Sequence, residues 1–569
     1  MAQASSDSNL CPGGRYAMNW GGWALERAEW QPTLFGVPNR ADLAAFVPHW
    51  PCRTIRVCVH RNHGFEAVSS AIGPYAAWNN LAFEWSLSAY DDTLTFDLRS
   101  DSELELIWLD AGRLESMAPG ALGPWLVGRL RALRSMTSNP IVAAIWPLAE
   151  TDRELIAVAA IPGTRVVNLD SFAARLGNRW LDSRTESISG TRLSNRACLE
   201  LARELACRWL PAAIAPPRKA IAVDLDGTLY RGVLGEDGPR GVVLTPAHRR
   251  LQENLAKRRD EGILLALVSR NDLRDVKELF ASRAEFPLRF DDFSAIDVSW
   301  DDRSVALRRI AERLRIALDA VVFIDDNAGE LAAAASSLPV FTVHARSDAA
   351  QTDAALEHVA GLFRWRETAE DRLRASDLRA STLRDTQSRD APSDEAYLRS
   401  LQVRLGYHVG QRQHLGRIAD LVAKTNQFNL SLRRMNEAQI ARKLDERPSN
   451  VVAIELADRL SDSGIVAAVV GSRRGERVHV EEVCVSCRAL GRRLEDSMLT
   501  QALLLLTGDH ASRDVVFDLR KGPRNDPARQ WLARYANTAI DGDTESVEMR
   551  FDAIAAKTIS PALRIEITR

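Results

Sequence analysis

The chain has little sulfur and almost no net charge. It carries 7 Cys and 7 Met in 569 residues, and 74 Lys+Arg against 76 Asp+Glu leave a formal charge of −2. An odd and thinly scattered cysteine set excludes a disulfide framework and predicts free thiols in a reducing compartment. The charge balance excludes the electrostatic footprint of a protein that binds nucleic acid or a membrane surface. No apolar run reaches the roughly 18 residues that cross a bilayer. The first residues, Met-Ala-Gln-Ala-Ser-Ser, have neither the basic region nor the apolar run of a signal peptide, so a cytoplasmic protein is expected. At roughly 100–200 residues per domain, the length predicts three units plus linkers.

What the chain does have is a set of apolar strands ending in polar groups. Residues 220–223 are apolar and lead into Asp224-Leu-Asp226-Gly-Thr228. Side chains alternate along a strand, so two acids at i and i+2 share a face and converge on one ligand at the strand's carboxyl end. A second such strand, 262–269, ends in Ser269, and a third, 320–325, ends in Asp325-Asp326-Asn327. Between them Trp300-Asp-Asp-Arg303 opens an amphipathic helix on Val305, Leu307, Ile310 and Leu314. Alone, each piece also reads as a turn with solvated acids, a helix cap or a surface cation.

Together, in this order, they resemble the haloacid dehalogenase (HAD) superfamily of phosphotransferases. The resemblance implies Asp224 as nucleophile toward phosphorus and Asp226 as general acid/base. It implies Thr228, Ser269 and Arg303 around the phosphoryl group, and Asp224, Asp226, Asp325 and Asp326 around Mg²⁺. Arg303 stands where the family usually has Lys, which keeps the charge and changes its shape. The run Asp226-Gly-Thr-Leu-Tyr230-Arg231-Gly-Val-Leu-Gly-Glu236-Asp237-Gly238 narrows the resemblance to FkbH-like proteins, with departures at Gly227, Tyr230 and Arg231. Ser269-Arg-Asn-Asp, Thr425-Asn-Gln-Phe-Asn-Leu430 and Ser486-Cys487-Arg-Ala-Leu-Gly491-Arg-Arg-Leu-Glu495 fit the same subfamily.

The expected fold class is multidomain α/β. Residues 1–44 read as a polar lead. Residues 45–215 alternate short strands (54–59, 104–109, 141–146, 155–160) with helices, as an α/β sandwich does. This segment resembles an SGNH-hydrolase fold but has no serine after its first strand. Cys58, His60 and His63 lie there instead, which suggests a structural role more than a thiol or metal site. The HAD-like parallel sheet is expected over 218–345, a solvated helical connector over 346–405, and a third domain over 406–569. The third has three strands (451–456, 464–470, 478–485) and then a helix (494–506), which resembles a GCN5-related acyltransferase.

That last resemblance implies a pantetheine-binding cleft at Arg488 and Gly491, with Asn525 on a late loop lining it. Arg493 departs from the small residue usual there. Cys484 and Cys487, three apart, point to opposite strand faces, which excludes a shared metal or disulfide. By resemblance Cys487 carries an acyl group. The implied function is a glyceryl transferase/phosphatase of natural-product (polyketide-type) biosynthesis. It takes a phosphorylated three-carbon substrate such as 1,3-bisphosphoglycerate and loads the glyceryl group onto a separate, phosphopantetheinylated acyl carrier protein. The alternatives are a Mg²⁺-dependent phosphatase of a free metabolite and a non-catalytic docking protein.

Overall fold

The computed structural model describes residues 20–569 except 99, 115–116, 119, 149–156, 159, 185, 367 and 509–513. Three sheets organise the chain, and the fold is multidomain α/β as expected. In the first domain, β1 (Arg53–Arg61), β2 (Leu81–Tyr90), β3 (Leu104–Asp110), β4 (Ile141–Trp146) and β5 (Thr164–Asn168) form an all-parallel sheet in the order β2-β1-β3-β4-β5. Of the strand expected over 155–160, residues 155, 156 and 159 lie outside the described residues, and 157–158 are helical instead.

In the central domain, β6 (Ala220–Val223), β7 (Leu264–Ser269), β8 (Ala295–Val298), β9 (Val321–Asp325) and β10 (Phe341–His344) are also parallel, in the order β10-β9-β6-β7-β8. Helices cover both faces of such a sheet, so its strands read as unbroken apolar runs. Every residue of β6 and β9 is buried.

The third domain is mixed: β11 (Arg404–Val409), β12 (Val451–Ala457), β13 (Asp462–Arg474), β14 (Arg477–Val485), β15 (Asp514–Asp518), β16 (Ser546–Arg550) and β17 (Arg564–Thr568), ordered β16-β15-β14-β13-β12-β11-β17. Strands β11 to β14 are an antiparallel meander, the helix Glu495–Thr507 follows, and β15 returns parallel to β14.

Two boundaries differ from expectation. The end of the polar lead is a helix, Trp20–Phe35, followed by a shorter one, Arg40–Ala44. Gln31 donates to the His344 carbonyl at 2.7 Å and accepts from the His344 N–H at 3.0 Å, so its amide satisfies the outer edge of β10 as a strand would. The helix also approaches the helix Ala328–Ser337 closely, where a Cβ on Gly21 would strike Ser336 and the Ala332 carbonyl. Trp78 of the first domain meets Phe341 of the second with ring centroids 5.1 Å apart, within one continuous hydrophobic core.

The connector is helical but not simply solvated. Its helix Arg374–Asp390 turns Asp377 and Arg384 inward. Asp377 Oδ1 accepts from Arg384 at 3.1 Å, Arg492 at 3.0 Å, Ser461 at 2.6 Å and Ser463 at 3.0 Å. Asp458 holds the same two guanidiniums, at 2.8 Å and 2.9 Å. A run of alternating charges reads as solvated because its sequence does not show which members face a partner domain.

Candidate active site

The order of the central sheet reverses between β6 and β9, one running out to β7 and the other to β10. Ligands of open parallel sheets bind at the carboxyl ends beside such a switch point. Asp224 follows β6 and Asp325 ends β9, on either side of that crevice. The helix Arg303–Leu314 brings its first residue into the gap. Arg303 Nη2 donates to Asp224 Oδ1 at 2.7 Å and its Nε to Asp325 Oδ2 at 3.1 Å. All three side chains are buried. Sequence alone left Arg303 open as a surface cation; the structure makes it the bridge between the two acids.

Electrostatics follow from that burial. Asp224 is pushed well above the ordinary carboxylate range by loss of solvent and by the neighbouring acids Asp325 and Asp226, against the pull of Arg303. Asp325 is pushed up to about 6, chiefly by burial, again against Arg303. Such crowded acids at a strand edge favour a cation or a developing positive centre.

Asp226 is set differently. It accepts from Tyr230 Oη at 2.7 Å, from the Leu234 N–H at 2.8 Å and from Asn271 Nδ2 at 2.9 Å. Asn271 also donates to Ser269 Oγ at 2.9 Å, which ties the second motif to the first. Tyr230 and Asn271 carried no role in the sequence reading. Their signal was spacing: four residues after Asp226 within its turn, and two after Ser269 past a strand end.

Asp224, Asp325 and Asp326 present carboxylate oxygens within 4.8 Å of one another. Oxygen donors of this kind suit Mg²⁺, and the donor set fits that ion. Asp226, also expected around the ion, is not part of that cluster; its carboxylate accepts from Tyr230, Leu234 and Asn271. Gly227 has φ +64°, and any Cβ there would collide with the Asp326 carboxylate. Thr228 is 1% exposed, and its hydroxyl has no partner among the described residues. A buried orphan hydroxyl costs stability unless something fills it, and a phosphoryl oxygen is the right chemistry.

Cys487 lies elsewhere. It is half-buried just past β14, on the wall of a cavity of about 90 Å³ between the central domain, the connector and the third domain. Lys219 and Leu264 line the same cavity, and each sits at the amino end of a central strand. At about 3.3 Å per strand residue, about 16 Å of strand lies between Lys219 on that wall and Asp224. They occupy opposite edges of one sheet. Cys484, by contrast, is fully buried against the Ala468 carbonyl.

The other residues of the expected cleft are placed differently from one another. Arg488 lines the Cys487 cavity and donates to the Glu370 carbonyl at 3.2 Å. The Gly491 N–H is taken by Glu495 Oε1 at 2.9 Å. Arg493 turns away to pair with Asp394 and lies over the Tyr397 ring. Asn525 is fully buried, donating to the Asn429 and Arg520 carbonyls at 2.9 and 2.8 Å and accepting from the Gly522 N–H at 2.8 Å. Its amide holds a loop together and is shut away from solvent.

In the first domain Cys58, His60 and Glu105 lie close enough to share an ion. His60 is 3.1 Å from Glu105, which also accepts from Ser102 and Asn139. His63 is buried apart from them, beside Thr191 and stacked on Trp108. No described helix is long and apolar enough to cross a membrane.

No protein-family model matches the chain, and no curated protein matches it. Solved structures align with parts of it. The N-terminal part of the protein BF1531 from Bacteroides fragilis, containing a phosphatase domain and complexed with Mg, is 20% identical over 59% of this chain and 98% of its own, with a TM-score of 0.45. A protein from Corynebacterium glutamicum is 19% identical over 26% of this chain and 94% of its own, with a TM-score of 0.18.

Proposed function

We propose that the chain is a Mg²⁺-dependent phosphatase of the HAD type coupled to acyl transfer. The observation that carries this reading is the convergence of Asp224 and Asp325 on Arg303 at the switch point, beside the unfilled Thr228 hydroxyl. Asp224 attacks phosphorus; a bond forms from its carboxylate oxygen and the ester P–O bond breaks. Asp226, held by Tyr230, Leu234 and Asn271, gives a proton to the leaving alkoxide. It then takes one from the water that cleaves the aspartyl-phosphate, and inorganic phosphate leaves. Arg303 fixes the Asp224 carboxylate and neutralises part of the incoming charge. Asp224, Asp325 and Asp326 would hold Mg²⁺, which supplies charge neutralisation between an anionic nucleophile and an anionic phosphate.

The acyl half of the reading rests on Cys487 and on the family resemblance. The thiolate attacks the acyl carbon of an acyl phosphate, a C–S bond forms, and the C–O bond to phosphate breaks. The resulting glyceryl thioester then passes to the phosphopantetheine thiol of an acyl carrier protein. Intact-protein mass spectrometry after incubation with Mg²⁺, acyl phosphates including 1,3-bisphosphoglycerate, and a pantetheinylated carrier tests it. A glyceryl mass on the enzyme and then on the carrier is expected. Phosphate release with neither adduct would reduce the protein to a phosphatase of a free metabolite. The opening of the Cys487 cavity at the amino ends of the central strands, away from Asp224 at a carboxyl end, is what favours that simpler alternative.

A further inference from the structure

The Cys487 cavity has a cationic lining drawn from all three of the units that enclose it. The connector supplies Arg374, the third domain supplies Arg417, Lys424 and Arg488, and the central domain supplies Lys219 and Arg315; Asp377 is the one acid on the wall. Most of these charges are spent. Arg374 pairs with Asp371 at 2.6 Å, Lys424 with Asp420 at 2.7 Å and Arg315 with Asp385 at 2.6 Å. Arg417 donates to the Ile465 carbonyl at 2.7 Å and lies 3.7 Å from Glu370. Asp377 is saturated by Arg384 and Arg492.

Lys219 is different. Its Nζ donates to the Lys424 carbonyl at 3.2 Å, and no carboxylate pairs with it among the described residues. Asp319 acts on it only from a distance. An ammonium among other cations and without a counter-ion seeks an anion, and the anion-forming group left on that wall is the Cys487 thiol.

We propose that Lys219 of the central domain is a positioning residue for Cys487: its ammonium stabilises the thiolate across the domain junction, so the thiol is reactive only when the two domains are docked. The thiol proton leaves to solvent, and the resulting charge pair replaces an unpaired cation. Arg488, which donates to the Glu370 carbonyl on the same wall, then lies where the anionic part of a bound acyl donor would sit. Burial pushes Lys219 down to about 8, with the Cys487 thiolate opposing that fall.

This inference rests on the acyl-transfer reading for its purpose but not for its test. The rate of Cys487 alkylation by iodoacetamide is measured against pH on the full chain, by peptide mass spectrometry that separates it from the other cysteines. Lys219→Gln should move the midpoint up by about one unit and slow the reaction roughly tenfold at pH 7, since one pKa unit is tenfold in thiolate fraction. Lys219→Arg should restore the wild-type rate at pH 7. It should also narrow the profile to a single ionisation, because a guanidinium does not titrate in this range. If Lys219→Gln does not fold, the width of the Arg profile decides alone. Unchanged midpoints in Gln, or wild-type width in Arg, would overturn the proposal. A shifted profile in a protein that forms no acyl-enzyme would overturn the acyl-transfer reading and leave this one standing.

Discussion

Replacing Asp377 with alanine leaves Arg384 and Arg492 buried with Asp458 as their one remaining carboxylate. One positive charge is then uncompensated in a site where both guanidiniums are almost fully buried. Breaking a buried pair from one side costs about 3–5 kcal/mol. For a unit of roughly 200 residues each kcal/mol is worth about 2–4 °C, so the transition that includes the third domain should fall by about 10 °C. Differential scanning calorimetry resolves that transition. Asp377→Asn, which keeps an acceptor but no charge, should fall by about half as much.

The pH dependence has a definite sign. Burial works to raise Asp377, but Arg492, the Ser461 hydroxyl and Arg384 outweigh it and hold the carboxyl below its ordinary value of 3.8. A depressed folded-state pKa contributes stability above the unfolded value and loses it as pH falls through the folded one. The gap between wild type and Asp377→Ala should therefore be full at pH 7 and shrink below about pH 4. An unchanged melting temperature at pH 7, or a gap that stays constant down to pH 3, would refute the reasoning.

Other outcomes follow from the same geometry. Arg303→Met should cut phosphatase kcat by about 10²–10³, the usual loss for one preorganised donor, while a malachite-green assay of Arg303→Lys should show partial activity. Gly227→Ala forces a Cβ toward Asp326 at a positive φ, and isothermal titration should show Mg²⁺ binding weakened by roughly tenfold, about 1.4 kcal/mol. Glu482, buried within β14, is pushed up from 4.5 to about 7, chiefly by burial and against the pull of the Ser431 hydroxyl. A raised acid is neutral and harmless below its unfolded value and costs stability as pH rises through the folded one, so Glu482→Gln should gain up to about 3 kcal/mol at pH 8 and nothing at pH 4, read by urea denaturation. Cys487→Ala should abolish any acyl-enzyme while phosphate release from a simple phosphomonoester is unchanged.

What could be read from the chain alone was whatever local pattern dictates. Residues 220–226 and 320–326 announced buried parallel strands with acids at their tips, because apolar runs of that length with a polar end have few other uses. The meander and helix of the third domain were legible for the same reason. Three features depended on which surface meets which. The helix Trp20–Phe35 mixes Glu and Arg with Trp, and it makes sense only once Gln31 is seen against β10. Asp377 and Arg384 look like any exposed pair until Arg492 arrives from more than a hundred residues away. Cys487 lies just past the end of β14, and Lys219 on the same cavity wall belongs to another domain and leaves no trace in local spacing.

The clasp between Gln31 and His344 reaches further than the edge it covers. The His344 ring nitrogen lies 2.9 Å from the Asp326 carbonyl, so the leading helix, the last strand of the central sheet and an acid of the cation cluster form one chain of contacts. Cutting the gene to residues 218–345 would remove the helix, strip half of a shared core from Phe341, and unmoor the loop that carries Asp326. Phosphatase work on this protein belongs with the intact polypeptide.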